Sequence, residues 1–358
     1  MKLLDLTLRE GEQRPGVEYT VDQKVAAARE LDALGVDYIQ VGFPVADDRT
    51  RRVCERVDLD AKTTGIARAV PADVDAAIDA GVDVVNLFAP TSDRQLEHVL
   101  GRSREELLDT VVTVADRARD HGVEVHFDAM DGFRTDPADL DALFDAIDAE
   151  LYTMADTVGG RTPAGVVDHL EAIETSLDDL GVHFHDDLGV ATANTLAAAR
   201  LGVARADVSV AGLGERAGNA VLEEVVAAAV VGDEPFTLDV DERRLLPTAR
   251  AVLDALDEDV EPAKALLGDE VFAHESGLHT AAMLDDPATF EPFDPARFGG
   301  QRRLLFGSAT GTGAARRLLE RAGREPTEER VGALLDRLDD VEEELSLEAA
   351  VALAGEVA

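Results

Sequence analysis

From residue 1 to about residue 232, short apolar runs alternate with longer amphipathic stretches. The strand-like runs are Leu3–Leu8, Tyr38–Gly42, Thr63–Ala67, Val82–Phe88, Val123–Phe127, Leu151–Met154, Val182–His185 and Asp207–Val210. Between them, apolar positions recur at helical spacing in Val21–Leu34, Asp73–Ala80, Ser103–His121, Thr162–Leu180 and Thr192–Leu201. Thr20, Ser103 (with Glu106 three residues on) and Thr162 (followed by Pro163) carry helix-start chemistry. Gly35, Gly81, Gly122, Gly181 and Gly202 stand where helices are expected to end. Such alternation implies parallel strands. About eight strand–helix units in this length predict an α/β fold, a (β/α)8 TIM barrel, in preference to a doubly wound sheet. A Gly-x-Gly-x-x-Ala string at Gly212–Ala217 mimics a dinucleotide fingerprint, but it follows the last strand instead of the first. Beyond Gly232 the alternation stops. Leu245–Leu256, Arg316–Ala322, Glu328–Leu338 and Leu347–Ala354 read as helices, separated by a loop-rich segment from Phe272 to Gly313. The division expected is a catalytic barrel over 1–265 and a smaller, mostly helical domain over 266–358.

Composition narrows the setting. Of 358 residues, 46% are hydrophobic, which is enough for a large core and argues against disorder. No apolar run approaches the roughly 20 residues of a membrane span, and the N-terminus is patterned as a strand, not a signal peptide. With one cysteine, Cys54, no internal disulfide is possible, so a cytoplasmic location is expected. Flanked by Val53 and Val57, Cys54 reads as a packed thiol and not a nucleophile. Net charge is −40, from 74 acidic against 34 basic residues. This excess argues against nucleic acid or an anionic membrane as partner. It suits an acid-coated, halophilic enzyme, with runs such as Glu342–Glu344 as solvated faces.

Barrel enzymes carry their chemistry at the carboxyl ends of the strands. The first strand ends in Arg9, Glu10 and Gln13, with Gly11, Pro15 and Gly16 turning the chain. Charges beside a buried strand are costly unless compensated, and a metal ion with an anionic substrate would compensate them. The seventh ends in Val182-His183-Phe184-His185-Asp186-Asp187. Histidines two apart on a strand face the same way, so both can bind one ion. The alternative is a pair of hydrogen-bonded barrel histidines. The eighth leads into Gly212-Leu213-Gly214-Glu215-Arg216-Ala217-Gly218-Asn219, and the sixth into Asp156-Thr157-Val158-Gly159-Gly160-Arg161-Thr162-Pro163. Backbone amides at the latter's helix start could receive a carboxylate. Two imidazoles, a carboxylate and Asn219 suit Mn²⁺, Zn²⁺ or Mg²⁺.

Leu8-Arg9-Glu10-Gly11-Glu12-Gln13, His183-Phe184-His185-Asp186-Asp187-Leu188-Gly189, Gly212–Asn219 with Leu222-Glu223-Glu224-Val225, and His274-Glu275-Ser276-Gly277-Leu278-His279 together resemble the 2-isopropylmalate, homocitrate and citramalate synthase family, of the DRE-TIM metallolyase superfamily. The resemblance implies condensation of acetyl-CoA with a 2-oxo acid on a divalent metal, then thioester hydrolysis. It implies Glu10, His183 and His185 as metal ligands, with Asn219 a further or weaker one. Arg9 would stabilise the keto oxygen as it becomes an alkoxide, and Gln13 and Thr157 would hold the oxo acid. His279 resembles the family's histidine supplied by a neighbouring subunit, implying a homodimer. His274 and His279 are five apart, so a zincin reading fails on spacing.

The pattern also breaks. Where the family usually has a catalytic glutamate this chain has Met130, and His126 stands where arginine is common. Phe290 replaces a usual tyrosine, and Gly307-Ser308-Ala309-Thr310-Gly311 replaces a Gly-Lys-His-Ser-Gly string. Proton transfer is typically worth about 10²–10⁴ in rate, so the exchange at Met130 bears on activity unless another acid or base stands in for it. His126 and Asp128, two apart on one strand face, are the candidates; Asp131 is a weaker one. The competing view is that His126 and Asp128 only order the loop. Asn86, Phe88 and Thr91 are expected to line the side-chain pocket. No regulatory domain, and so no feedback inhibition through one, is expected. Three functions fit: the acyltransferase, a metal-dependent retro-aldol or retro-Claisen lyase, and a non-catalytic metal- and oxo-acid-binding paralogue. Glu10 in place of the aspartate usual in isopropylmalate synthases leans toward the homocitrate side.

Overall fold

A computed structural model describes residues 1–358, and its contacts divide the chain into two units, Met1–Asp259 and Val260–Ala358. In the first unit eight parallel strands close into a barrel in chain order: β1 (Lys2–Asp5), β2 (Tyr38–Gly42), β3 (Lys62–Arg68), β4 (Val84–Pro90), β5 (Glu124–Met130), β6 (Leu151–Asp156), β7 (Leu180–Phe184) and β8 (Arg205–Val208). The ring closes where β1 pairs with β8, Lys2 opposite Arg205 and Asp5 opposite Val208. Helices follow the strands as the alternation predicts. Val21–Leu34 starts in a capping box between Thr20 and Gln23 and ends at Gly35, whose φ of 99° favours glycine. Arg104–Asp120 starts in a second capping box, between Ser103 and Glu106. No helix is long and apolar enough to cross a membrane.

Four departures from the expected elements bear on the site. The first strand stops at Asp5, not at Leu8, because the buried Asp5 carboxylate accepts from the backbone N–H (2.9 Å) and hydroxyl (3.0 Å) of Thr7. The chain then coils through a helical turn, Thr7–Glu10, and a 3₁₀ turn, Gly11–Gln13, which lift Arg9 and Glu10 over the barrel mouth. The helix expected over Thr162–Leu180 is only Pro163–Leu170; afterwards the Asp141 carboxylate ties down the backbone N–H groups of Glu174 (3.0 Å) and Thr175 (2.9 Å). Gly181 is therefore not a helix cap but the second residue of β7. The last barrel strand begins at Arg205, two residues before the apolar run, since a buried guanidinium can occupy a strand position when it is fully paired.

Within the second unit the loop-rich segment holds more order than its composition suggests. β9 (Ala273–His274), β10 (Arg303–Phe306) and β11 (Leu345–Ser346) form a small sheet, β10 lying between the other two. Helices Thr312–Arg321, Glu328–Asp339 and Leu347–Gly355 bury Leu318, Leu319, Leu334, Leu338 and Ala350 around Phe306. This is the helical C-terminal region expected.

Candidate active site

Glu10, His183 and His185 come together although some 170 residues separate the first from the others; their ligand atoms all lie within 4.8 Å of one another, and all three residues are buried. Backbone bonding at the mouth builds the arrangement. Asp186 N donates to Gly218 O (2.9 Å), and His185 and Asn219 form an antiparallel bridge, so the loop after β8 is sewn to the end of β7. Glycine is required at position 214, where a β-carbon would collide with the Asn219 carboxamide. The glycine string that mimics a dinucleotide fingerprint thus seats Asn219.

The electrostatics fit a cation. The Nε2 atoms of His183 and His185 face each other at 3.3 Å, with the rings nearly perpendicular. Asp207 Oδ2 lies 3.5 Å from His183 Nδ1, placing the proton there and leaving the Nε2 lone pair turned toward His185. His185 Nδ1 and Asn219 Oδ1 are buried without a protein partner. Burial holds the His185 imidazole down to about 3, so it is neutral near pH 7. Burial alone would raise the Glu10 carboxyl; Arg9 and the two imidazoles outweigh it and bring it to about 2. An ionised carboxylate, two converging imidazole nitrogens and a stranded amide oxygen match the nitrogen and oxygen donors that Mn²⁺, Zn²⁺ or Mg²⁺ accept.

Arg9 is held from three sides. Its Nε donates to Gln40 Oε1 (2.5 Å) and its Nη1 to Gln13 Oε1 (2.8 Å) and to Glu10. Arg9, Glu10, Gln13, Thr157, His183 and His185 line one cavity of about 170 Å³. Thr157 is anchored there because its hydroxyl accepts from Asp131 N at 2.8 Å. In the turn that leads from Thr157 to the helix Pro163–Leu170, Arg161 N donates to Asp156 Oδ2 at 2.7 Å, so that amide is already taken.

On the opposite wall Met130 and Asp128 reach the cavity, and His126 does not. His126 is buried below, its Nδ1 2.6 Å from Arg205 Nη1 and its Nε2 2.9 Å from Glu124 Oε1. Since a guanidinium only donates, His126 Nδ1 accepts and Nε2 carries the proton, so the ring is saturated. Its placement is that of a prop for Arg205. Asp131 is likewise spent, held by Ser92 and by a two-pronged contact from Arg134 (2.7 Å each). Of the expected side-chain pocket residues only Phe88 lines the cavity. Asn86 sits behind it and donates to Asp128 (3.1 Å), and Thr91 bonds Met130 O (3.1 Å). His279 belongs to the second unit, where it stacks on Phe290 with ring centroids 3.9 Å apart. The Cys54 thiol is pushed up to about 11 by burial, which fits a packed side chain.

Sequence reasoning missed Gln40, Asp207 and Arg205. Arg205 is wholly buried inside the barrel, bonded to Asp207 (3.0 Å), Thr153 (2.6 Å) and His126. Gly181 leaves the room: a β-carbon there would lie 3.4 Å from Arg205 Nε. The polar spacing of two at Arg205 and Asp207 was the available signal, concealed because the strand was begun at Asp207.

A closed parallel barrel with a carboxylate, two imidazoles and a guanidinium at its mouth defines the class as a TIM-barrel enzyme. Residues 1–252 match the HMGL-like family model and residues 266–345 the homocitrate synthase post-HMGL domain-like model. The chain is 42% identical over 344 residues to homocitrate synthase AksA of Methanopyrus kandleri, spanning 93% of this chain and 86% of that one. It is 40% identical over 348 residues to a probable 2-isopropylmalate synthase of the same organism, spanning 95% and 70%. Among solved structures, hydroxymethylglutaryl-CoA lyase from Pseudomonas aeruginosa superposes with a TM-score of 0.64 at 25% identity, over 72% of this chain and 93% of that one. The chain belongs to the HMGL-like family, in its branch of homocitrate, isopropylmalate and citramalate synthases.

Proposed function

We propose that this enzyme is an acyltransferase that condenses acetyl-CoA with a 2-oxo acid and hydrolyses the thioester, giving a 2-alkylmalate- or homocitrate-type product. The observation that carries the reading is the convergence of Glu10, His183 and His185 with Arg9 on one cavity. Glu10, His183 and His185, with Asn219, are the residues that would hold a divalent cation, which when bound supplies Lewis acidity toward a keto oxygen. Arg9 contributes fixed positive charge where the alkoxide develops, and its bond to Gln40 keeps it aimed without reorganisation. Gln13 and Thr157 donate to the oxo acid's carboxylate. Proton transfer falls to Asp128, which lines the cavity beside Met130 and meets Arg205 only at 3.7 Å: Met130 cannot move a proton, Asp207 is held more tightly by Arg205 (3.0 Å) and faces His183, and Glu215 pairs with Arg216 (3.3 Å). The reading includes a homodimer in which the partner subunit's His279 completes the site.

The post-HMGL domain match favours the synthase over a retro-aldol or retro-Claisen lyase on the same barrel. The test is incubation with acetyl-CoA, Mn²⁺ and a panel of 2-oxo acids in high salt, following free thiol. Thiol release that depends on an oxo acid is the expected result. Cleavage of a hydroxy acid without that release would put the lyase in its place, and ligand binding with neither reaction would leave only a binding protein.

A further inference from the structure

The cavity's charges and its apolar wall bear on which oxo acid enters, an inference that rests on the acyltransferase reading above. Four carboxylates line the cavity (Glu10, Asp128, Asp207 and Glu215) against one fixed cation, Arg9. Arg9 is already engaged by Gln40, Glu10 and Gln13 on the side of the imidazole pair. The second nearby guanidinium, Arg205, does not line the cavity: it is fully buried, bonded to Asp207, His126 and Thr153, and lies behind Asp128 at a longer 3.7 Å. His126 is no substitute, since Arg205 donates to its Nδ1 and the ring stays neutral. What remains for the substrate's side chain is a wall of Ile66, Phe88 and Met130 with the Asp128 carboxylate among them. Asp128 is presented from behind by the Asn86 amide. Two of the four carboxylates are already paired, Asp207 with Arg205 (3.0 Å) and Glu215 with Arg216 (3.3 Å), but neither guanidinium lines the cavity, so Arg9 is the one cation a substrate can meet there.

We propose that this site selects 2-oxo monocarboxylates with a short, uncharged side chain and rejects 2-oxo dicarboxylates, Asp128 being the residue that repels the distal carboxylate. A second substrate carboxylate would be stripped of water beside Asp128 with no cavity-lining cation on that wall to receive it, because Arg205 lies behind Asp128 and is already shared with Asp207. A short alkyl side chain would instead lie on Ile66, Phe88 and Met130. Discrimination by an unpaired charge is stronger than by a missing methylene, so a gap of about 10²-fold or more in kcat/KM is expected.

The test compares 2-oxobutanoate with 2-oxoglutarate on the Mn²⁺-loaded wild-type enzyme, by thiol release from acetyl-CoA and by calorimetric binding of each oxo acid. The expected result is at least about 100-fold preference for 2-oxobutanoate in kcat/KM and tighter binding of it. Asp128→Asn should raise the ratio of 2-oxoglutarate to 2-oxobutanoate kcat/KM by about tenfold. Because this is a ratio, it is insensitive to any common loss from slower proton transfer; where the variant turns over too slowly, the same ratio is read from the two binding constants. Equal or better use of 2-oxoglutarate by the wild-type enzyme overturns the selection rule and leaves the acyltransferase reading intact. No thiol release with any oxo acid overturns the acyltransferase reading, and the binding constants then decide the selection rule alone. An unchanged ratio in Asp128→Asn removes Asp128 as its cause.

Discussion

His183 Nε2 and His185 Nε2 face each other across 3.3 Å, and Asp207 holds the far nitrogen of the first ring. Two imidazole nitrogens brought this close favour a shared cation over a mutual hydrogen bond when Glu10 stands ionised beside them. Titration with Mn²⁺ is expected to give one site per chain. Asp207→Asn should weaken it about 10–100-fold, because an outer carboxylate orients the ligand and raises its basicity. A stoichiometry of zero, or an affinity unmoved by Asp207→Asn, would contradict the assignment.

Arg9 has a fork geometry that lysine cannot copy, with Gln40 on Nε and Glu10 and Gln13 on Nη1. Arg9→Lys keeps the charge but loses its aim. Steady-state kinetics should show kcat down by about 10²–10³ with a smaller change in KM. A variant within twofold of wild type would remove Arg9 from the chemistry.

Asp5 is fully buried, and burial raises its carboxyl to about 7 despite the bonds from Thr7. In the unfolded chain it ionises near pH 4. The folded state therefore keeps a proton that the unfolded state releases. The stability Asp5 contributes is complete below pH 4 and falls as pH rises toward 7. Thermal melting of wild type and Asp5→Asn from pH 4 to 8 should show the wild type losing ground by a steeper slope. Parallel curves would mean that Asp5 is ionised in the fold.

A chain of net charge −40 repels itself. Raising salt from roughly 0.1 M to roughly 1 M shortens the screening length from about 10 Å to about 3 Å. Exposed pairs such as Arg51–Glu55 weaken too, but each is worth about 0–1 kcal/mol, so relief of repulsion wins. The melting temperature should climb with KCl; indifference to salt would refute the acid-coat reading.

Gly181→Ala would place a β-carbon 3.0 Å from Leu151 Cδ2 and 3.4 Å from Arg205 Nε. Crowding of this kind in a packed interior costs about 1–3 kcal/mol. Urea unfolding should reveal that loss. No loss would mean that the Arg205 layer is loosely packed.

The barrel was legible because its information is local. Alternating runs, caps at Thr20 and Ser103 and the glycine at 35 act over a few residues and meet little competition from distant contacts. The short helix Pro163–Leu170 and the sheet around Arg303–Phe306 were missed for the opposite reason. Each is decided by a partner far along the chain: Asp141 for the first, Ala273–His274 and Leu345–Ser346 for the second.

The residue types for a cation centre, and their position at strand ends, were set by the sequence itself through the spacing of two at His183 and His185 and the charged turn at Arg9 and Glu10. Which of the candidates share a cavity was not. His126 and Asp128 share one face of β5, yet the ring is taken up by Arg205 and Glu124 while the carboxylate, bonded by Asn86 from behind, still lines the cavity. That outcome depends on a guanidinium arriving from β8, 79 residues beyond His126, into space left by Gly181. Only closure of the ring puts those side chains in one low-dielectric interior, where the imidazole that meets Arg205 is buried and the carboxylate beside it is left lining the cavity.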